Sequence, residues 1–344
     1  MSFTELVAWL KEDREEKLAE LWQRADEVRR KTVGDEVHLR GLIEISNFCR
    51  RACFYCGLRA ENGKIDRYRM SEKEIMECAH KAVKFGFGTV VMQSGEDTGI
   101  RAKWLADIIR LIKAQTPLAV TLSLGERKDT EYALWKKAGA DRYLLRFETS
   151  DPELFSHIHP SLPGEKSDRI AILRKLRKMG YEIGTGVMIG IPGQTCETLA
   201  HDICLFRELD ADMIGVGPFI VHGDTPLGQG VLPMAKEQVP ASELMVYKVL
   251  ALTRIVCPEA NIPATTALAT INKDSGRELG LNRGGNVVMP NVTPLQYREK
   301  YEIYPEKACI NETAEACNIC LSGRIASIGR RLGSGQGGRR RAND

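Results

Sequence analysis

The chain has 344 residues, 43% of them hydrophobic and 28% charged, with a formal net charge of +3. That balance excludes a disordered chain and supplies enough apolar material for one large core. Part of the positive excess sits in Arg339-Arg340-Arg341, so no nucleic-acid partner is expected.

Met1 to Lys11 carries acidic residues and no long apolar stretch, which predicts neither a signal peptide nor a membrane span. A cytoplasmic monomer is the default expectation. From Phe3 to Lys31, Leu6, Leu10, Leu18, Leu21 and Trp22 recur at helical spacing between charged residues, which predicts helices capping a larger domain. After Gly34-Asp35 the pattern changes to short β-rich runs. These are Val37 to Ser46, Thr89 to Gly95, Ala119 to Leu124, Arg142 to Glu148, Glu182 to Ile191, Met213 to Ile220, Asn261 to Leu268 and Asn286 to Pro290. Helical periodicity fills the gaps at Ser71 to Phe85, Trp104 to Lys113, Thr130 to Ala138, Asp168 to Met179, Glu197 to Leu209 and Ser242 to Val256. Ser71 with Glu74 forms a capping-box pattern, and Gly86, Gly139 and Gly180 fall at helix C-termini.

Strand and helix alternation with eight runs predicts an α/β fold, a complete (β/α)8 TIM barrel. The expected layout is an N-terminal helical cap over 1–34, the barrel over 35–300, and a C-terminal extension over 301–344 ending in a flexible, Gly/Arg-rich basic tail from Gly333 to Arg341. Polar residues gather at the C-terminal ends of the runs, as in Gln93-Ser94-Gly95-Glu96-Asp97, Ser123-Leu124-Gly125-Glu126 and Arg146-Phe147-Glu148-Thr149. That is the face on which such barrels carry their active sites.

Cys49, Cys53 and Cys56 form a CxxxCxxC loop directly after the first run. Three thiolates on a four-iron cluster leave one iron open for a small molecule. A structural zinc site wants four closed ligands, and a reducing compartment disfavours disulfides, but both remain as rival readings. A second triad, Cys309, Cys317 and Cys320, lies beyond the eighth run. It is compatible with a second iron-sulfur cluster, with zinc, or with unused thiols.

The first triad, with Tyr55 before its last cysteine, resembles the signature of radical S-adenosylmethionine (SAM) enzymes. Further stretches, including Tyr68-Arg69-Met70, Gly190-Ile191-Pro192-Gly193-Gln194-Thr195, Asn261-Ile262-Pro263-Ala264-Thr265-Thr266-Ala267 and Met289-Pro290-Asn291, resemble one family within them. That family is the FeFe-hydrogenase maturase HydE, which groups with biotin synthase and methylornithine synthase. The resemblance implies a 4Fe-4S cluster on Cys49, Cys53 and Cys56 and SAM on its open iron. Cofactor contacts are implied for Tyr55, Ser94, Gly95, Glu96, Glu148, Arg169 and Ile191, with Ser94 to Glu96 on the SAM amine, Glu148 on the ribose and Arg169 on the carboxylate. Substrate contacts are implied for Gln93, Thr121, Arg146, Met213, Thr265, Thr266 and Tyr304. Each of these has a bland reading as turn, surface pair or core residue. Phe147 departs from relatives that have His at that position.

The resemblance further implies reductive cleavage of SAM to a 5'-deoxyadenosyl radical during maturation of the hydrogenase diiron cluster. The implied substrate is a small molecule, a cysteine-bound iron carbonyl cyanide, with the maturases HydG and HydF as partners and a flavodoxin or ferredoxin as electron donor. The alternatives are a HydE-like paralogue acting on an amino acid or thiol, as methylornithine synthase does, and a non-catalytic metal scaffold.

Overall fold

The computed structural model describes residues 1–340, so Arg341 of the basic tail lies outside the described residues. The helical spacing at the N-terminus is realised as helices Phe3–Lys11 and Glu15–Thr32. Leu6, Leu10, Leu18 and Leu21 are buried, as the apolar stripe of an amphipathic helix requires. Both helices pack on helix Glu243–Val256, whose buried Lys248 donates to the Leu10 carbonyl (3.2 Å) and to Asp13 (2.7 Å). The capping box of Ser71 and Glu74 is present at the start of helix Glu72–Lys84.

The strands are β1 (Glu36–Ser46), β2 (Thr89–Ser94), β3 (Ala119–Ser123), β4 (Arg142–Leu144), β5 (Glu182–Ile189), β6 (Met213–Pro218), β7 (Val287–Val288) and β8 (Arg331–Leu332). Seven of them form a parallel sheet in the order β6-β5-β4-β3-β2-β1-β7, and β8 pairs in parallel with the start of β1. The expected complete eight-stranded barrel is therefore corrected to a seven-stranded half-barrel. Asn261 to Leu268, expected as the seventh strand, makes only isolated bridges from Asn261 to Met213 and from Pro263 to Val287. Pro263 has no N–H to extend a ladder. Thr265 then caps helix Thr266–Ile271, its hydroxyl accepting from the Leu268 amide (3.3 Å).

The tail is the second correction, because its described part is docked. The chain from Gly333 crosses the N-terminal end of the sheet, opposite the cysteine loop. The Gln336 carbonyl accepts from Thr89 (2.8 Å) and Arg142 (3.2 Å), and the Gly337 carbonyl from Arg40 (2.9 Å) and Asn261 (3.3 Å). Arg339 pairs with Asp210 (2.5 Å) and Glu259 (3.2 Å). A Cβ on Gly88 would run into the Gly335 carbonyl oxygen, so only a glycine there lets the two backbones approach. Composition marked this segment as loose, while the buried guanidiniums that take its carbonyls come from β1 and β4.

Candidate active site

The cysteine loop leaves the C-terminal end of β1 and is tied down at its base. Asn47 donates to the Asp66 (2.9 Å) and Lys300 (2.7 Å) carbonyls and accepts from the Tyr68 amide (2.7 Å). Arg67 holds the carbonyls of Leu58 (2.9 Å) and Arg59 (2.8 Å). Further along, Phe54 N–H donates to Ile158 (2.9 Å), and Gly57 N–H donates to Ile303 (3.0 Å) in the C-terminal extension. The loop is thus held by segments far apart in sequence.

Cys53 is buried, while Cys49 and Cys56 are partly buried. Burial pushes the Cys53 thiol up to about 12 and raises Cys49 and Cys56 as well. Thiols that burial keeps protonated suit an iron-sulfur group, which would ionise them on binding. Three thiol donors on one loop, which leave a fourth position open, fit an iron-sulfur cluster.

Behind the loop lies a buried charge network that spacing did not reveal. The Glu96 amide donates to Cys49 Sγ (3.3 Å). Its carboxylate accepts from Arg51 Nε (2.7 Å) and from the Glu126 amide (3.0 Å). Arg51 also pairs with Glu126 (3.1 Å), and Glu126 accepts from Arg169 Nε (3.0 Å). The four side chains are all under a tenth exposed and carry two positive and two negative charges. Buried pairs of this kind hold position well but leave a costly charge if one partner is removed. Gly95 brings the end of β2 against the loop, since a Cβ there would strike the Phe48 carbonyl and the Cys49 side chain.

Glu148 follows β4 with φ +64°, a left-handed conformation costing of order 1–3 kcal/mol for a residue with a side chain. It is held there by Gly186 O, which accepts its amide (3.1 Å), and by the Met188 amide (3.3 Å). Its Oε2 is buried 3.3 Å from Arg146 Nη2 without hydrogen-bond geometry. Strain of this sort collects at functional sites. Ile191 is fully buried in a small apolar cluster with Leu154, Ile158, Met188, Phe219 and Leu227, against which Phe54 and Tyr55 pack.

Asp202, on helix Cys196–Glu208, is buried beside this segment. Its Oδ1 accepts from the Ser150 amide (2.5 Å), Oδ2 has no hydrogen-bond partner among the described residues, and burial raises its pKa to about 7. The folded chain holds this proton more tightly than the unfolded chain. Stability therefore falls as pH rises from about 4 to about 7, by roughly 4 kcal/mol across the window. Melting curves of Asp202→Asn and the parent protein are expected to diverge in the variant's favour between pH 4 and pH 8. A constant difference over that range would refute this.

The expected substrate residues separate into two groups. Thr121 and Met213 line one cavity with Arg40, Arg142, Glu182 and Asp212. Met213 Sδ accepts from Arg40 (2.8 Å), and Thr121 Oγ1 is buried without a hydrogen-bond partner among the described residues. Gln93, Arg146, Thr265, Thr266 and Tyr304 are not part of that lining. Gln93 donates to the Tyr301 hydroxyl (3.2 Å), Arg146 donates to the Val187 carbonyl, and Thr265 serves as the helix cap described above. Phe147 packs on Phe206 with ring centroids 5.4 Å apart.

Residues 43–203 match the Radical SAM superfamily. The chain is 48% identical over 321 residues to the FeFe hydrogenase maturase subunit HydE of Thermotoga maritima, covering 93% of this chain and 89% of that protein. The chain belongs to the HydE family of radical SAM enzymes. Its fold is shared with methylornithine synthase (PylB), at a TM-score of 0.82 and 22% identity over 96% of this chain and 94% of that one. The HydG maturase of the FeFe hydrogenase superimposes at 0.79 with 18% identity, over 96% of this chain and 72% of that one. No helix among the described residues is long and apolar enough to cross a membrane.

In this HydE-family chain the second triad is only partly gathered. Cys309, itself at φ +64°, and Cys317 lie with Glu312 such that their ligand atoms are within 4.8 Å of one another. Cys320 is exposed one turn along helix Ala314–Ser327. Arg277 donates to Cys309 Sγ (3.5 Å), and Arg298 holds the Cys309 (3.2 Å) and Glu312 (2.6 Å) carbonyls. Lys307, from the same segment, reaches Glu44 on β1 (2.7 Å). Arg51 stood inside the cysteine motif and Glu126 at a strand end. Those positions were the signals for these two residues, while Glu96 and Arg169 were expected as cofactor contacts.

Proposed function

We propose that this chain cleaves SAM reductively at a 4Fe-4S cluster held by Cys49, Cys53 and Cys56, and uses the 5'-deoxyadenosyl radical to build the diiron unit of FeFe hydrogenase. The reading is carried by the three thiols of one loop set against the buried Arg51, Glu96, Glu126 and Arg169 network. The HydE relative supports the maturation role. Cys49, Cys53 and Cys56 would hold a 4Fe-4S cluster, which would supply an open iron for SAM and the electron for cleavage of its sulfonium bond.

The chain's own residues bind and orient. Arg169 retains one N–H on each of Nη1 and Nη2 beyond those it donates to Glu126, Arg146 and His159, a fork suited to the SAM carboxylate. Glu148 faces the ribose hydroxyls, and Ile191 with Tyr55 supplies the apolar wall for adenine. The Glu96 carboxylate is already held by Arg51 and the Glu126 amide, which leaves the backbone of Ser94 to Glu96 for the SAM amine. Arg146, beside Glu148 after β4, is a cation suited to an anionic iron carbonyl cyanide bound by cysteine. HydG is the proposed source of that complex, HydF the recipient, and a flavodoxin or ferredoxin the electron donor. Cys309, Cys317 and Cys320 are proposed to hold a second cluster.

Anaerobic incubation of the reconstituted protein with dithionite and SAM is expected to release 5'-deoxyadenosine faster when the cysteine-bound iron carbonyl cyanide complex is present, and to consume that complex. Lysine should change nothing. Acceleration by lysine with formation of methylornithine would overturn the substrate assignment while leaving the radical chemistry standing.

A further inference from the structure

His159 ends the short helix Pro152–Ile158, and its imidazole is buried. Its Nε2 lies 2.6 Å from Arg169 Nη2. A guanidinium only donates, so Nε2 is the lone-pair nitrogen and the ring proton sits on Nδ1. The ring stacks on Phe155 (centroids 4.9 Å apart, 19° between planes), and the Arg169 guanidinium carbon lies 5.6 Å from the same Phe155 ring. Burial, together with the charges of Arg169 and Arg51, holds the imidazole far below its ordinary value, at about 2. The ring is therefore neutral throughout the working range of pH.

Arg169 is thus gripped by three acceptors from three places in the fold: Glu126 after β3 (3.0 Å), the Arg146 carbonyl after β4 (2.7 Å), and His159 (2.6 Å). The first two fix Nε and Nη1, and among the described residues only His159 fixes Nη2. A carboxylate in place of the imidazole would tip the neutral four-charge network to net negative. A neutral acceptor orients the guanidinium and leaves its charge for an incoming anion.

We propose that His159 is a positioning residue whose Nε2 aims the two remaining N–H groups of Arg169 at the carboxylate of SAM. This rests on the reading of Arg169 given above. The contact should matter only for ligands that bear the carboxylate.

The test uses the cluster-loaded full chain and measures dissociation constants by calorimetry for SAM and for 5'-methylthioadenosine, which has the adenosine and sulfur but no carboxylate. His159→Phe is expected to weaken SAM about tenfold, the worth of one charge-assisted hydrogen bond, and to leave 5'-methylthioadenosine within about twofold. His159→Gln, whose amide oxygen still accepts from Nη2, should recover most of the SAM affinity. Equal weakening of both ligands, no weakening of SAM, or a glutamine protein that binds as poorly as the phenylalanine one would overturn the proposal. If the phenylalanine protein does not fold, His159→Leu takes its place in the comparison. Arg169→Ala separates the two readings. If it fails to weaken SAM selectively, the Arg169 assignment falls, whereas a selective loss there with none in His159→Phe sinks the His159 inference alone.

Discussion

Cys53→Ala is expected to reduce SAM cleavage to background and to remove the iron of the first site, whereas Cys317→Ala is expected to leave cleavage intact. Cys53 is the most deeply buried of the first triad, at 8% exposure, and burial pushes its thiol up to about 12. In the metal-free chain it is a neutral thiol, and only metal binding ionises it. Removing it would leave two of the three proposed ligands, and among the described residues the nearby carboxylates are already engaged. Glu96 is held by Arg51 (2.7 Å) and Glu126 by Arg169 (3.0 Å). Cys317 belongs to a separate segment whose ties to the sheet run through Arg298 and Lys307 (2.7 Å to Glu44). Iron content and 5'-deoxyadenosine, measured on both variants after the same reconstitution, check the contrast. Cleavage that survives Cys53→Ala, or that is lost in Cys317→Ala, would count against the first triad as the reactive centre.

Ending the chain after Leu332 is expected to lower stability by about 3 kcal/mol or more, the range for stranding groups that were buried and paired. Arg40 is 1% exposed, and apart from the Gly337 carbonyl (2.9 Å) its hydrogen bond goes to Met213 Sδ (2.8 Å). Burial and the neighbouring Arg142 hold its pKa down to about 9. Losing a carbonyl acceptor therefore removes much of what keeps this cation inside. Arg142 keeps Glu182 (2.6 Å) but loses Gln336, and the Arg339 ion pairs with Asp210 and Glu259 go too. Gly88→Val tests the same docking without shortening the chain, because its side chain collides with the Gly335 carbonyl. Both variants should melt several degrees lower, on the order of 5–10 °C. A truncated protein with the parent's melting temperature would show that the docked tail contributes nothing to stability.

The readable parts of the sequence were those whose meaning lies within a few residues. The triad spacing, the capping box at Ser71 and the helix stripes at Leu6 and Leu10 each depend on contacts inside one turn or loop. The failures have a common cause as well. Asn261 to Leu268 has the composition of a strand, and although Pro263 was a visible sign against a full ladder, only the fold shows that the segment meets its neighbours at single bridges to Met213 and Val287. The Gly333 to Arg341 stretch has the composition of a loose tail, and nothing local shows that buried guanidiniums await its carbonyls.

By itself, then, the sequence set three thiols on one loop after a strand, with acidic and glycine residues at the ends of the strands that follow. Short-range geometry decides this, because neighbouring residues cannot be far apart. Only the tertiary structure decided what surrounds the thiols and what closes the opposite end. Arg51 meets Glu96 across 45 residues, and Arg40 meets Gly337 across 297. Such partners are chosen by the folded path of the chain. Burying their charges requires that each find its counterpart there.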